Sequence, residues 1–253
     1  MPAHTLLDSR KIRDAPSFSV TAVQGLLTVE TFLQEAMRYV PYCDSHRNVW
    51  SSHFTGIILE AGSQIDSIWK AAAKLEMPSC SNERLDITDH FKRFGNLVAK
   101  QKVIYFAGEL PCAITPFEEW QNSNYAPLKW WTAYNALKHD RFTNQTEATL
   151  DYAVNAVAAM FLAVIYSGAC DVALISANFL DPSSGNPWAY SNTGLLRDVT
   201  YDCRAIIETK LFAHPLGVFG VDDCNLSNYW MSNSPRFNIW WALNAERFTR
   251  PIG

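Results

Sequence analysis

Apolar residues recur at helical intervals along much of the chain. Val29, Phe32, Leu33, Ala36 and Val40 fall three or four apart, the period that gathers side chains on one face of a helix. Thr28 before them can cap that helix and Pro41 ends it. A second stripe, from His53 to about Glu76, runs through Ile57, Ile58, Ala61, Ile65, Ile68, Trp69 and Ala72, with Pro78 closing it. Its polar members include Glu60, Gln64 and Asp66, of which Glu60 and Gln64 stand one turn apart. Asp86 or Thr88 is placed to cap a short helix through Phe94, with Gly95 as its stop.

The pattern then changes. Lys102 to Phe106 (KVIYF) is a β-branched and aromatic run that predicts a strand, read as isolated. Pro111, Pro116 and Pro127 make residues 108–128 an irregular connection. Trp130 to Phe142 predicts another helix, and Asn144 with Glu147 three residues on resembles a capping box for the next. That next helix contains Tyr152 to Cys170, whose only clearly polar members are Asn155 and Ser167. Its length approaches a membrane span. Ala and Gly dilute its hydrophobicity, however, and no basic cluster flanks it, so it is expected as the buried central helix of a bundle, with no membrane involved.

These elements predict a mainly α fold: a helical bundle with minor β elements and an irregular, aromatic-rich C-terminal extension. Residues 1–20, with Pro2, Pro16 and mixed charge, are expected as a flexible arm, 21–180 as the helical bundle domain, and 181–253 as an extension packing on the bundle. Residues 182–187 read as a loop, and Val199 to Phe212 is ambiguous between strand and helix. Beyond 215, Phe219, Tyr229, Trp230, Phe237, Trp240, Trp241 and Phe248 form either a wrap over the bundle or a surface for a partner protein.

Composition narrows the function classes. Of 253 residues, 48% are hydrophobic and 18% charged, enough apolar surface to fold. The formal charge of -4 gives no global attraction to phosphate backbones, so nucleic-acid contact needs a local patch. From Lys92 to Lys102 the charged residues are Lys92, Arg93, Lys100 and Lys102, without an acid among them. Six scattered cysteines lack CxxC pairing and six histidines lack HxxxH or HxH spacing, so neither metal nor cofactor is expected. The N-terminus has no signal-peptide pattern, and reduced thiols in a cytoplasm fit best.

One segment concentrates chemistry: Trp130 to Arg141, reading WWTAYNALKHDR. On a helix, Trp131, Asn135 and His139 fall at successive i, i+4 positions, while Tyr134, Lys138 and Arg141 occupy the adjoining stripe. An imidazole between cations suits proton transfer at a phosphate, with the cations holding the anion. The bland alternative is a His that satisfies carbonyls at a helix C-terminus, with Lys and Arg complementing the dipole.

A helix with polar Glu60 and Asp66, a Trp-rich approach, and YNALKH (Tyr134 to His139) running into a long buried helix resembles the HEPN superfamily. The resemblance covers roughly residues 28 to 170. It implies a helical bundle, often dimeric across its site, and in many members a metal-independent RNase of toxin, defence or RNA-processing systems. The family signature is an Arg, often followed by a polar residue, four to six residues before a His. Asn135 and His139 match the polar residue and the His, while Tyr134 stands where the Arg would be and Arg141 is the candidate replacement. In active members the RNA 2′-hydroxyl attacks the adjacent phosphate. The resemblance then gives His139 proton transfer and Lys138 and Arg141 phosphate binding, and the basic run from Lys92 adds Lys92 and Arg93 as further phosphate contacts. Asn135 and Tyr134 orient, Glu60 or Asp66 positions the cations, and Trp131 packs.

Two functions remain open. One is a non-catalytic or weakly catalytic helical interaction module of a prokaryotic defence or stress system, binding a partner protein or a ligand, with a homodimer expected. The other is a metal-independent ribonuclease acting on RNA through His139 with Arg141 and Lys138.

Overall fold

The computed structural model describes residues 17–76, 85–108, 112–122, 124–177, 179 and 206–215. The first helix, α1 (Ser17–Ala36), starts well before Thr28. Its inward face, Ala22, Val23, Leu26, Val29, Leu33 and Ala36, is buried and extends the apolar period two turns upstream of the expected cap. Thr28 is therefore a mid-helix residue, its hydroxyl donating to the Gln24 carbonyl at 3.0 Å. Phe32, expected on the buried stripe, faces solvent. Residues 17–20, assigned to a flexible arm by sequence, are helical, and 1–16 lie outside the described residues.

Helix α2 (Ser52–Glu76) carries the predicted stripe, with Ile57, Ile58, Ala61, Ile65, Ile68, Trp69 and Ala72 all buried. A short α3 (Ile87–Val98) begins at an Asp86 capping box: the Asp86 carboxylate accepts from the backbone of Thr88 and Asp89, and Asp89 answers to the Asp86 N–H. Gly95 does not stop this helix, which continues to Val98 because Phe94 and Val98 are both buried beneath it.

The strand expected to stand alone does not. Strand β1 (Val103–Tyr105) lies in a four-stranded antiparallel sheet with β2 (Cys112–Ile114), β3 (Ile206–Glu208) and β4 (Phe212–Pro215), in the order β2-β1-β4-β3. All three residues of β1 are buried, so its backbone groups need partners on both edges. Part of the expected irregular extension is thus a regular hairpin; residues 180–205 and 216–253, including the aromatic run, lie outside the described residues.

Helix α4 (Lys129–His139) precedes a 3-10 turn at Gln145–Glu147, and then α5 (Leu150–Tyr166), capped by the Thr149 hydroxyl. The expected Asn144 cap is absent; Asn144 turns back to α4 instead. Helix α5 is buried except at Asp151, Tyr152 and Asn155, as a central bundle helix should be, and its largest interface is with α2. It ends at Gly168, whose φ of 66° reverses the chain in the left-handed region before the short α6 (Asp171–Ser176). Among the described residues no helix is long and apolar enough to cross a membrane.

Candidate functional site

Helix α4 is held by its aromatic residues. The Trp130 indole donates to the Pro116 carbonyl at 2.7 Å and meets Phe117 and Trp131 edge-on. Trp131 and Tyr134 are in ring contact, centroids 4.9 Å apart. Tyr134 is buried against Gly62 of α2, where any side chain would overlap its ring. Lys138, one turn on, lies over that ring with its ammonium 5.2 Å from the centroid and donates to the Tyr134 hydroxyl at 3.2 Å. Tyr134 thus packs two helices together and anchors the lysine that sequence assigned to phosphate.

The end of α4 is closed without His139. The Asp140 N–H donates to the Ala136 carbonyl, and the Asn144 amide donates to the carbonyls of Ala136 and Asp140 at 3.2 and 2.8 Å. The alternative use of His139, capping terminal carbonyls, is therefore taken by Asn144. His139 and Arg141 are exposed, with no hydrogen bond or ion pair among the described residues, and Phe142 beside them is 89% exposed. Asn135 is half-buried between the packed and open parts of the helix.

The acidic residues expected to support this segment are engaged elsewhere. Glu60 accepts from Gln64 at 2.6 Å, and Gln64 lies against Gly25 of α1. Asp66 accepts from the Nε2–H of fully buried His90 at 3.0 Å and from Lys70 at 2.6 Å. Burial raises the Asp66 carboxyl, but the bonds from His90 and Lys70 and the lysine charge outweigh it and hold the group below its usual range. Since a carboxylate only accepts, His90 carries its proton on Nε2, and its ring packs on Trp69 with centroids 5.2 Å apart. This His–carboxylate pair has the composition of an acid-base dyad, but its imidazole is sealed from solvent. Of the expected basic patch, Lys92 pairs with Asp89 at 3.3 Å and Arg93 is half-buried.

Sequence reasoning missed three features. At the start of α5, Tyr42 donates to Asp151 at 2.7 Å while the Arg47 guanidinium sits over the Tyr42 ring and bridges Asp44 and Asp151. Burial first, then Asp151, drives the Tyr42 hydroxyl far up, so it stays a donor; burial also pushes the neighbouring Cys112 thiol up to about 11, which disfavours the thiolate. Second, the hairpin of β3 and β4 is pinned from inside by buried Glu30 and His214, both hydrogen-bonded. Third, a slot of about 290 Å³ opens between the end of α1 and the start of α2. Ala36, Val40, Val49 and Phe54 give it apolar walls, with Glu35, Arg38, Ser51 and His53 completing the lining and Tyr39, 84% exposed, on its rim. Phe32, Tyr39 and Val49 are three of the chain's exposed large apolar residues, and the His53 ring is tied to the Phe32 carbonyl at 3.1 Å. Side-chain spacing carries no mark of such a slot, because it arises where the chain turns between two helices.

Set against protein-family models, curated proteins and solved structures, the chain matches none. What the fold itself defines is a mainly α protein, its helices packed around α5 with a small antiparallel sheet at one side. Among the described residues no group of three or more His, Cys, Asp or Glu side chains is placed to hold a metal ion.

Proposed function

We propose that this protein is a HEPN-like helical interaction module that works by binding a protein partner, with a second copy of itself as the first such partner. The observation that carries this reading is the slot between α1 and α2. A hole with apolar walls and an exposed aromatic knob, Tyr39, lie side by side on one face. A two-fold interface needs such self-complementarity: each copy offers a knob next to its own hole. Phe32 and Val49 around it add exposed apolar area of the kind that marks interfaces. The engagement of Tyr134, Lys138, Glu60 and Asp66 in packing and pairing further supports a bracing use of α4 over a catalytic one. Sedimentation velocity over a concentration series tests the reading. Dimers in the wild type and monomers in a folded Tyr39→Asp variant support it, whereas a wild type that stays monomeric at every concentration overturns it.

A second reading is supported by the open end of α4. His139 and Arg141 are solvent-facing, unpaired among the described residues and next to exposed Phe142, a combination suited to an RNA strand's phosphates and bases. Metal-free cleavage of RNA, abolished by His139→Ala, would establish the ribonuclease; an inert folded protein leaves the interaction module.

A further inference from the structure

His214 is the next-to-last residue of β4 and lies just beyond its pairing with β1, whose register pairs are Tyr105 with Phe212 and Ile104 with Ala213. Where the next rung would form, the imidazole takes over. Its Nδ1 is 2.8 Å from the Lys102 carbonyl and its Nε2 is 2.8 Å from the Tyr166 hydroxyl of α5. A carbonyl only accepts, so Nδ1 carries the hydrogen; Nε2 is then the acceptor and Tyr166 donates to it. The neutral ring satisfies both neighbours and ties the strand end to both the β1 side and α5. The opposite, turn end of the hairpin is tied differently: Glu30 of α1 accepts from the Thr209 hydroxyl and, at 2.6 Å, from the Leu211 N–H.

We propose that the β3–β4 hairpin is an acid-released latch, in which protonation of His214 frees the Pro215 end of β4 from α5 and Lys102 while Glu30 keeps the turn end closed. His214 is only 1% exposed. From α5 it meets Tyr166, from the segment before β1 the Lys102 carbonyl, and across β3 its register partner is Ile207. Glu208 on β3 stands opposite Ala213, and alternation along the strand turns it to the other face. Among the described residues no carboxylate faces the ring to serve as counter-charge for an added proton. Burial drives the imidazole down from 6.5 to about 4, against a smaller opposing pull from the Lys102 carbonyl.

The sign follows from linkage. The closed form binds fewer protons than the open one, so its advantage is complete above the ordinary histidine value and is lost as pH falls toward the closed value. At about pH 5 roughly 1.5 of the 2.5 units of separation have been traversed, which favours opening by roughly 30-fold relative to about pH 7.5. Glu30 works the other way: burial, the largest influence on it, raises its carboxyl, so the cost of keeping it buried falls as pH falls. The two ends of one hairpin therefore respond to acid with opposite signs.

Hydrogen exchange on the full chain at the two pH values, corrected for intrinsic exchange, tests the latch. We expect residues 206–215 to lose protection by roughly 30-fold in acid while α5 keeps its own, and His214→Gln, neutral with one donor and one acceptor, to abolish the difference. Equal acid sensitivity in His214→Gln, or parallel loss throughout α5, overturns it. Should that variant not fold, the wild-type imidazole resonances decide. Titration well below the ordinary histidine value in step with hairpin exchange supports the latch, and titration at the ordinary value without hairpin exchange overturns it.

Discussion

Gly62 and Gly56 sit on the same helix, and one substitution at each should give opposite results. At Gly62 an added Cβ would stand 2.5, 2.6 and 2.8 Å from the Cδ2, Cγ and Cε2 atoms of Tyr134, distances real side chains do not adopt. The ring has little room to move, being buried, in contact with Trp131 and covered by Lys138. Forcing a methyl into three contacts this short against a confined ring costs about 2–3 kcal/mol, the upper part of the overpacking range, while alanine in mid-helix regains about 1 kcal/mol over glycine. Gly62→Ala should therefore lower stability by about 1–2 kcal/mol, a fall in Tm of roughly 2–8 °C for a chain of this size. At Gly56, exposed and with nothing within 4 Å of the added atom, only the propensity gain remains, so Gly56→Ala should raise stability by about 0.5–1 kcal/mol. Chemical denaturation read by circular dichroism measures both. On a Tyr134→Ala background the obstacle is gone, and Gly62→Ala should turn mildly stabilising, a coupling of about 2 kcal/mol. A Gly62→Ala protein as stable as the wild type would show that α2 and α4 do not meet through this ring.

Three further outcomes follow from individual contacts. Glu30 receives both the Thr209 and Leu211 bonds on one oxygen, which an amide oxygen can replace; Glu30→Gln should match or exceed wild-type stability at neutral pH, its relative advantage shrinking in acid. Glu30→Ala orphans those buried donors and should cost about 1–3 kcal/mol by the same denaturation assay; equal damage from both variants would refute this role for the oxygen. Asp86→Ala removes the cap of α3, a loss of about 1 kcal/mol. Because the bond from Thr88, chiefly, holds the Asp86 carboxyl below its usual value, that difference should be full at neutral pH and vanish as pH falls through the carboxylate range in pH-dependent melts. His139→Ala and Arg141→Ala, at exposed positions without a partner among the described residues, should leave the melting curve within about 0.5 kcal/mol of wild type; a multi-kcal loss would mean they brace the bundle after all.

Helices that bury a full stripe were legible in sequence. The apolar period placed α2 within a residue of its start, and the all-round apolar run identified α5 as the bundle centre. The errors arose where spacing does not say which partner a residue takes. KVIYF read as isolated because one neighbour, Cys112–Ile114, lies among the prolines of a stretch read as irregular, and the other, Phe212–Pro215, follows about a hundred residues later. Asn144 read as the start of a helix because spacing cannot tell a side chain reaching forward from one reaching back. At the candidate site, spacing correctly joined Tyr134 to Lys138 and Glu60 to Gln64, one turn apart on their helices. It did not join Asp66 to His90, whose contact depends on how α2 meets α3, nor did it separate buried Tyr134 from open His139 on a single short helix.

The strand order β2-β1-β4-β3 also bears on how the chain is made. During synthesis the helices α1 to α5 and the β1–β2 pair are complete before β4 exists, leaving one edge of β1 without its neighbour. A bare strand edge of buried residues invites pairing with another chain. Closing the edge needs a contact across a large sequence separation, which is slow on the folding timescale. Among the described residues the last piece to dock is then 206–215, and a chain cut short of Ile206 would keep its helices while acquiring a tendency to aggregate through Ile104 and Tyr105.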